Sequence, residues 1–155
     1  MKKLVKTIVI VAVLYANTTQ CLASEKEKLE KKDFSYLKQN FSEFYKNDYT
    51  SFFHIFNEQS KKAESCKNKK TVIDFFSLAP LINGNTEVSA AFSESVESLA
   101  TDNAKCFLIA WDSSPINVRK LICERLSRPL FKERKDIESS LKKINQINFH
   151  ENCLR

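Results

Sequence analysis

The chain is predicted to be all-α, built from short antiparallel helices in a HEAT-like or irregular bundle and tied by two disulfides. Three observations predict this. The 155 residues contain one glycine, Gly84, and three prolines, Pro80, Pro115 and Pro129; so few breakers favour helices. Apolar residues recur at steps of three and four, the helical period. No run alternates apolar and polar residues for long enough to make a sheet.

Residues 1–23 read as a signal peptide. Lys2 and Lys3 supply a positive start, and Ile8 to Ala16 is an apolar run. The run has about nine residues, against roughly 20 for a membrane-spanning helix. Cys21 and Ala23 are small residues that suit signal peptidase, which places the cut between Ala23 and Ser24. Two other readings compete: an uncleaved anchor, which the length disfavours, and a lipid on Cys21, for which Thr18-Thr19-Gln20 is a poor approach. Membrane attachment is expected only through that lipid.

Cleavage changes the bounds on the rest. The whole chain has 25 basic and 19 acidic residues, and the leader carries Lys2, Lys3 and Lys6. The mature balance is then 22 against 19, or +3. Nucleic-acid binding calls for a stronger basic field. Cys21 leaves with the leader, and Cys66, Cys106, Cys123 and Cys153 remain. An even set in an oxidising compartment reads as two disulfides. Four cysteines allow three pairings; alternating helix directions favour Cys66–Cys106 and Cys123–Cys153. Each would close a loop of roughly 30 to 40 residues, on the order of 3–4 kcal/mol. Zinc is disfavoured, because the spacings of 40, 17 and 30 include no Cys-x-x-Cys and no nearby His. No metal or cofactor is expected. The Lys- and Asn-rich composition points to a bacterial source and to the periplasm; in a eukaryotic one, Asn40-Phe41-Ser42 would be a glycan acceptor.

Residues 24–155 form one domain's worth of chain. Over 24–60, Phe34, Leu37, Phe41, Tyr45, Tyr49, Phe52 and Phe56 line one face of a helix, or of a helix pair broken at Asn47-Asp48. Such a stripe is core more often than ligand groove. Residues 61–70 are lysine-rich, lack an apolar period and read as a loop pinned by Cys66. Residues 71–147 read as a helical array. Thr71 caps a helix that Pro80 and Gly84 end; Thr86 to Ala100 and Ala104 to Trp111 follow. Ser114 caps the next helix, with Pro115 at its first position. The last helix spans Lys135 to Gln146, and 148–155 is a tail.

Chemistry-bearing sets are sparse. His54 and His150 are the two histidines, so a nucleophile, base and orienter have few candidate parts. The carboxylates Glu94 and Glu97, and Asp136 and Glu138, read as solvated helix faces rather than a glycan-cleaving pair. Catalytic residues are therefore expected to be none. Trp111 and Asp112 stand at a turn, with Arg119 and Arg125 on the following helix. An exposed Trp with a basic rim is a candidate protein contact; packing of Trp111 into the core with Phe107 is the competing reading.

The stretch Phe75 to Phe131, with Phe-Phe-Ser-Leu-Ala, Glu-Val-Ser-Ala-Ala-Phe-Ser-Glu, Lys-Cys-Phe-Leu and Arg-Pro-Leu-Phe, resembles small exported helical bacterial proteins. In size and build these include periplasmic immunity proteins, which neutralise cell-wall-degrading toxins. The resemblance implies a non-enzymatic protein-binding module whose partner is a toxin or an envelope component. A structural or accessory component of an envelope complex and a small exported hydrolase are the alternatives.

Overall fold

The computed structural model describes residues 32–82, 84–144, 149 and 153. Residues 1–23, read above as a signal peptide, with Cys21, and His150 lie outside the described residues. Among these, the chain forms eight α-helices and no strand, with the cysteines paired Cys66–Cys106 and Cys123–Cys153. None of these helices is long and apolar enough to cross a membrane.

The N-terminal stripe folds as three helices where one or two were expected: α1 Phe34–Gln39, α2 Phe41–Asn47 and α3 Tyr49–Glu64. Local side chains cut it. The Asn40 amide donates to the Tyr36 carbonyl at 3.1 Å, and Asp48 accepts from the Ser51 N–H at 3.2 Å. Short polar side chains that bond nearby backbone compete with helix continuation. Lys32 also donates to Asp48 at 2.7 Å, and this bond, foremost, holds the Asp48 carboxyl below its ordinary range.

The expected loop at 61–70 shrinks to four residues. Helix α3 runs to Glu64 because Ser60 and Ala63 face the core; the exposed Lys61 and Lys62 hid that period. Asn68, not Thr71, caps α4 Lys69–Phe76 by accepting from the Lys70 N–H at 2.9 Å. Between them Cys66 adopts a left-handed φ of 49°, a common way for a chain to leave a helix.

A short 3-10 turn, Ala79–Leu81, carries Pro80. Gly84 then takes φ 85°, and Asn85 caps α5 Thr86–Asp102. Helix α6 Ala104–Asp112 follows at once. Helix α7 is Ile116–Ser127, with Pro115 at the cap position. Ser114 does not cap it; its hydroxyl donates back to the Ala110 carbonyl at 2.8 Å. Helix α8, Arg134–Lys142, is shorter than expected.

Helix α5 is the hub, packing against α3, α6, α7 and α8. HEAT-like repeats touch only their neighbours, so the molecule is the irregular bundle of the two expected forms. Ring contacts thread it: Phe41–Phe52 at 5.1 Å, Phe56–Phe75 at 5.7 Å and Phe75–Phe92 at 4.9 Å link α2, α3, α4 and α5. Phe76–Phe107 at 5.5 Å continues into α6, and Phe149 of the tail packs on Phe107 and Trp111.

Two predictions follow from this frame. Cys123→Ser with Cys153→Ser should cost about 3 kcal/mol in urea unfolding. It should also shift the emission of the single tryptophan to the red, because Phe149 loses its tether; Cys66→Ser with Cys106→Ser should leave that emission in place. For Asp48, a carboxyl held below its unfolded value of 3.8 adds stability above that pH, lost as pH falls through the folded value. Asp48→Asn should therefore flatten the acid limb of the stability curve while keeping the cap; Asp48→Ala should cost about 1 kcal/mol more at neutral pH.

Candidate functional site

Three of the four sequence-predicted contact residues come together. The Arg119 guanidinium lies over the Trp111 ring, 5.3 Å from its centroid, and 3.8 Å from the Asp112 carboxylate. The Trp111 indole N–H donates to the Arg119 carbonyl at 3.3 Å. Trp111 is only 3% exposed, so it belongs to the core and is not a projecting anchor. The apolar surface there is Ile116, 65% exposed, beside a cleft of about 190 Å³.

Arg125 sits elsewhere. It reaches from α7 to α5, donating to the Ser89 hydroxyl at 2.9 Å and the Ser93 hydroxyl at 3.1 Å. Its guanidinium covers the Phe92 ring at 5.1 Å. Burial pushes its pKa down. It is a strut between two helices rather than part of a basic rim.

Ser89, Ser93 and Glu97 recur every four residues along α5, so they share one face of the helix. That face is polar, yet it packs inward against α7 and the connection after it. Glu94 is solvent-exposed as expected, but Glu97 is 0% exposed. Its two carboxylate oxygens accept three successive backbone N–H groups, from Leu130 at 2.9 Å, Phe131 at 2.8 Å and Lys132 at 2.9 Å. A carboxylate taken out of water costs several kcal/mol unless its lone pairs are satisfied. Here charge-assisted bonds supply that compensation.

The consequence is a connection between α7 and α8 held at its backbone and open at its side chains. Leu130 is 69% and Phe131 49% exposed. Large apolar side chains presented on a fixed backbone lose little entropy when they bind. Arg128, Lys132 and Lys135 are near them in sequence, with Glu133 and Asp136. Arg134 is engaged by Glu138, which also takes Lys142; these two bonds hold the Glu138 carboxyl low.

Sequence reasoning missed this loop. The readable signal was the four-residue polar step ending in Glu97, together with Pro129-Leu130-Phe131, apolar residues placed where a helix had to stop. The other chemistry-bearing groups do not converge. His54 is on the exposed side of α3, 3.9 Å from Glu58. Among the described residues no group of three or more His, Cys, Asp or Glu side chains could hold a metal ion.

No family model matches the chain, and no curated protein or solved structure matches it either. The likeness to exported immunity proteins therefore rests on size and build alone.

The clamp makes a direct prediction. The amides of Leu130, Phe131 and Lys132 should exchange hydrogen slowly although they lie in a surface loop. Glu97→Gln can keep its oxygen toward Phe131 and Lys132 only by turning its amide nitrogen toward the Leu130 N–H. It should cost about 1–3 kcal/mol for the unpaired donor and speed exchange at Leu130 most. Equal exchange rates in both proteins would show that the clamp is not formed.

Proposed function

We propose that the chain is a non-enzymatic protein-binding module exported to the bacterial periplasm, and that it acts as an immunity protein or inhibitor. The observation that carries this is the Glu97 clamp. A fold that buries a carboxylate to fix three loop amides, and then leaves Leu130 and Phe131 in water, has the build of a preorganised contact. Binding energy concentrates in a few central apolar residues seated in a partner's pocket. Two cross-links suit an oxidising compartment, and the leader read from residues 1–23 supplies the route there.

Expression in the periplasm together with the neighbouring gene tests the inhibitor form. The neighbour's product should be toxic alone and harmless with this protein. Leu130→Asp with Phe131→Asp should abolish protection and weaken binding by 2 kcal/mol or more, about 30-fold, with the melting temperature unchanged. A harmless neighbour, or protection that survives the double substitution, would refute the assignment. A stable multi-protein envelope assembly recovered through a photo-crosslinker at position 131 would instead favour an accessory role.

A further inference from the structure

A second hollow lies at the other disulfide. It is an open cleft of about 710 Å³, within the range of small-molecule sites. The Cys66–Cys106 bridge forms part of its wall. Three lysines from three separate elements line it: Lys69 opens α4, Lys105 lies in the first turn of α6, and Lys143 follows α8. Among the described residues no carboxylate lies within ion-pair distance of any of the three, whereas Lys32, Lys62, Lys70 and Lys142 each have one. Asp102 is the one carboxylate on the described wall.

Lysines without counter-ions repel one another, and solvated surfaces relieve this by spreading apart. Here the chain prevents it. Cys66 stands three residues before Lys69 and Cys106 directly after Lys105, so the disulfide, with Cα atoms 6.4 Å apart, keeps two lysine-bearing segments together. Asn103 adds to the effect. Its side chain donates to the Glu64 carbonyl at 2.8 Å and does not cap α6. The first-turn N–H groups of α6, at Ala104 to Cys106 on the same wall, are thus left without a side-chain acceptor. The Ser140 hydroxyl lies on the wall as well.

We propose that this cleft binds a small polyanion carrying two or more phosphate groups. Ammonium groups are point charges that suit phosphate oxygens, and three around one hollow match a ligand with several negative charges. The site is separate from the Leu130–Phe131 loop and does not depend on the protein-binding reading.

The test is calorimetric titration of the disulfide-bonded protein with sodium tripolyphosphate at ~50 mM salt, where screening is modest. Saturable one-to-one binding is expected. Lys69→Gln, Lys105→Gln and Lys143→Gln together should weaken it about tenfold, roughly 1.4 kcal/mol. The charge-matched Lys38→Gln, Lys46→Gln and Lys61→Gln should leave it within about twofold. All six lysines are solvent-exposed or border the open cleft, so both proteins should fold, and Lys105→Gln alone gives a milder second reading. Vesicles separate the two sources of phosphate. Sedimentation with cardiolipin vesicles, whose headgroup carries two phosphates, that tripolyphosphate competes away places the groups on a lipid headgroup. Tripolyphosphate binding without sedimentation places them on a soluble ligand. No saturable binding, or equal loss in the two triple variants, overturns the proposal.

Discussion

Ring-on-ring packing is the constraint on which the rest of this structure depends. The eight helices of the described residues, 6 to 17 residues long, are mostly too short to hold helical form in isolation, since nucleation costs more than a few turns return. They persist because each places a large apolar group into a shared interior. Phe52, Phe56, Phe75, Phe76, Phe92, Phe107 and Phe149 are almost wholly removed from water. Their edge-to-face contacts add about 0.5–1.5 kcal/mol each beyond burial. The two cross-links add to this packing at the α3–α4 turn and the C-terminal tail.

Against that apolar background, the polar face of α5 divides the labour within one helix. Val88, Phe92, Val96 and Leu99 serve the core. Ser89 and Ser93 receive Arg125, and Glu97 receives a loop. Helix α5 thus sets both the hydrophobic centre and the outward geometry of the α7–α8 connection. The surface it organises and the lysine-lined cleft are built by different means: one from backbone amides gathered on a buried anion, the other from cations that a disulfide keeps from separating.

Much of the fold was legible in the residues. Scarcity of glycine and proline, the helical period of the aromatic stripe and the even cysteine count after Ala23 lead to an all-α, doubly cross-linked bundle, with the observed pairing among the three possible. Boundaries were harder where tertiary contacts override local pattern. Ser60 is polar and Ala63 only weakly apolar, so their burial, and with it the last turn of α3, was invisible beside Lys61 and Lys62. Ser114 and Thr71 have capping chemistry, but Ser114 bonds backward and Asn68 captures the α4 start first. The site was less legible still. Trp111 drew attention because exposed tryptophans make contacts, yet its environment turned out to be Arg119 and Phe149. Glu97 looked like any charged helix residue, because nothing local reveals that three amides 33 to 35 positions later will converge on it.

The clamp also has an evolutionary side. Glu97 bonds only main-chain N–H groups, so it places no demand on which side chains stand at 130, 131 and 132 beyond excluding proline, which lacks the donor. Recognition and foldability are thereby uncoupled. Replacements at the tip can change the exposed surface while the scaffold and its cross-links stay as they are. A lineage under changing demands on its exposed surface would gain from such a cartridge, since new tips could be sampled one residue at a time without passing through unstable intermediates. Variation concentrated at these three positions, beside an unvarying glutamate on α5, is the pattern such a history would leave.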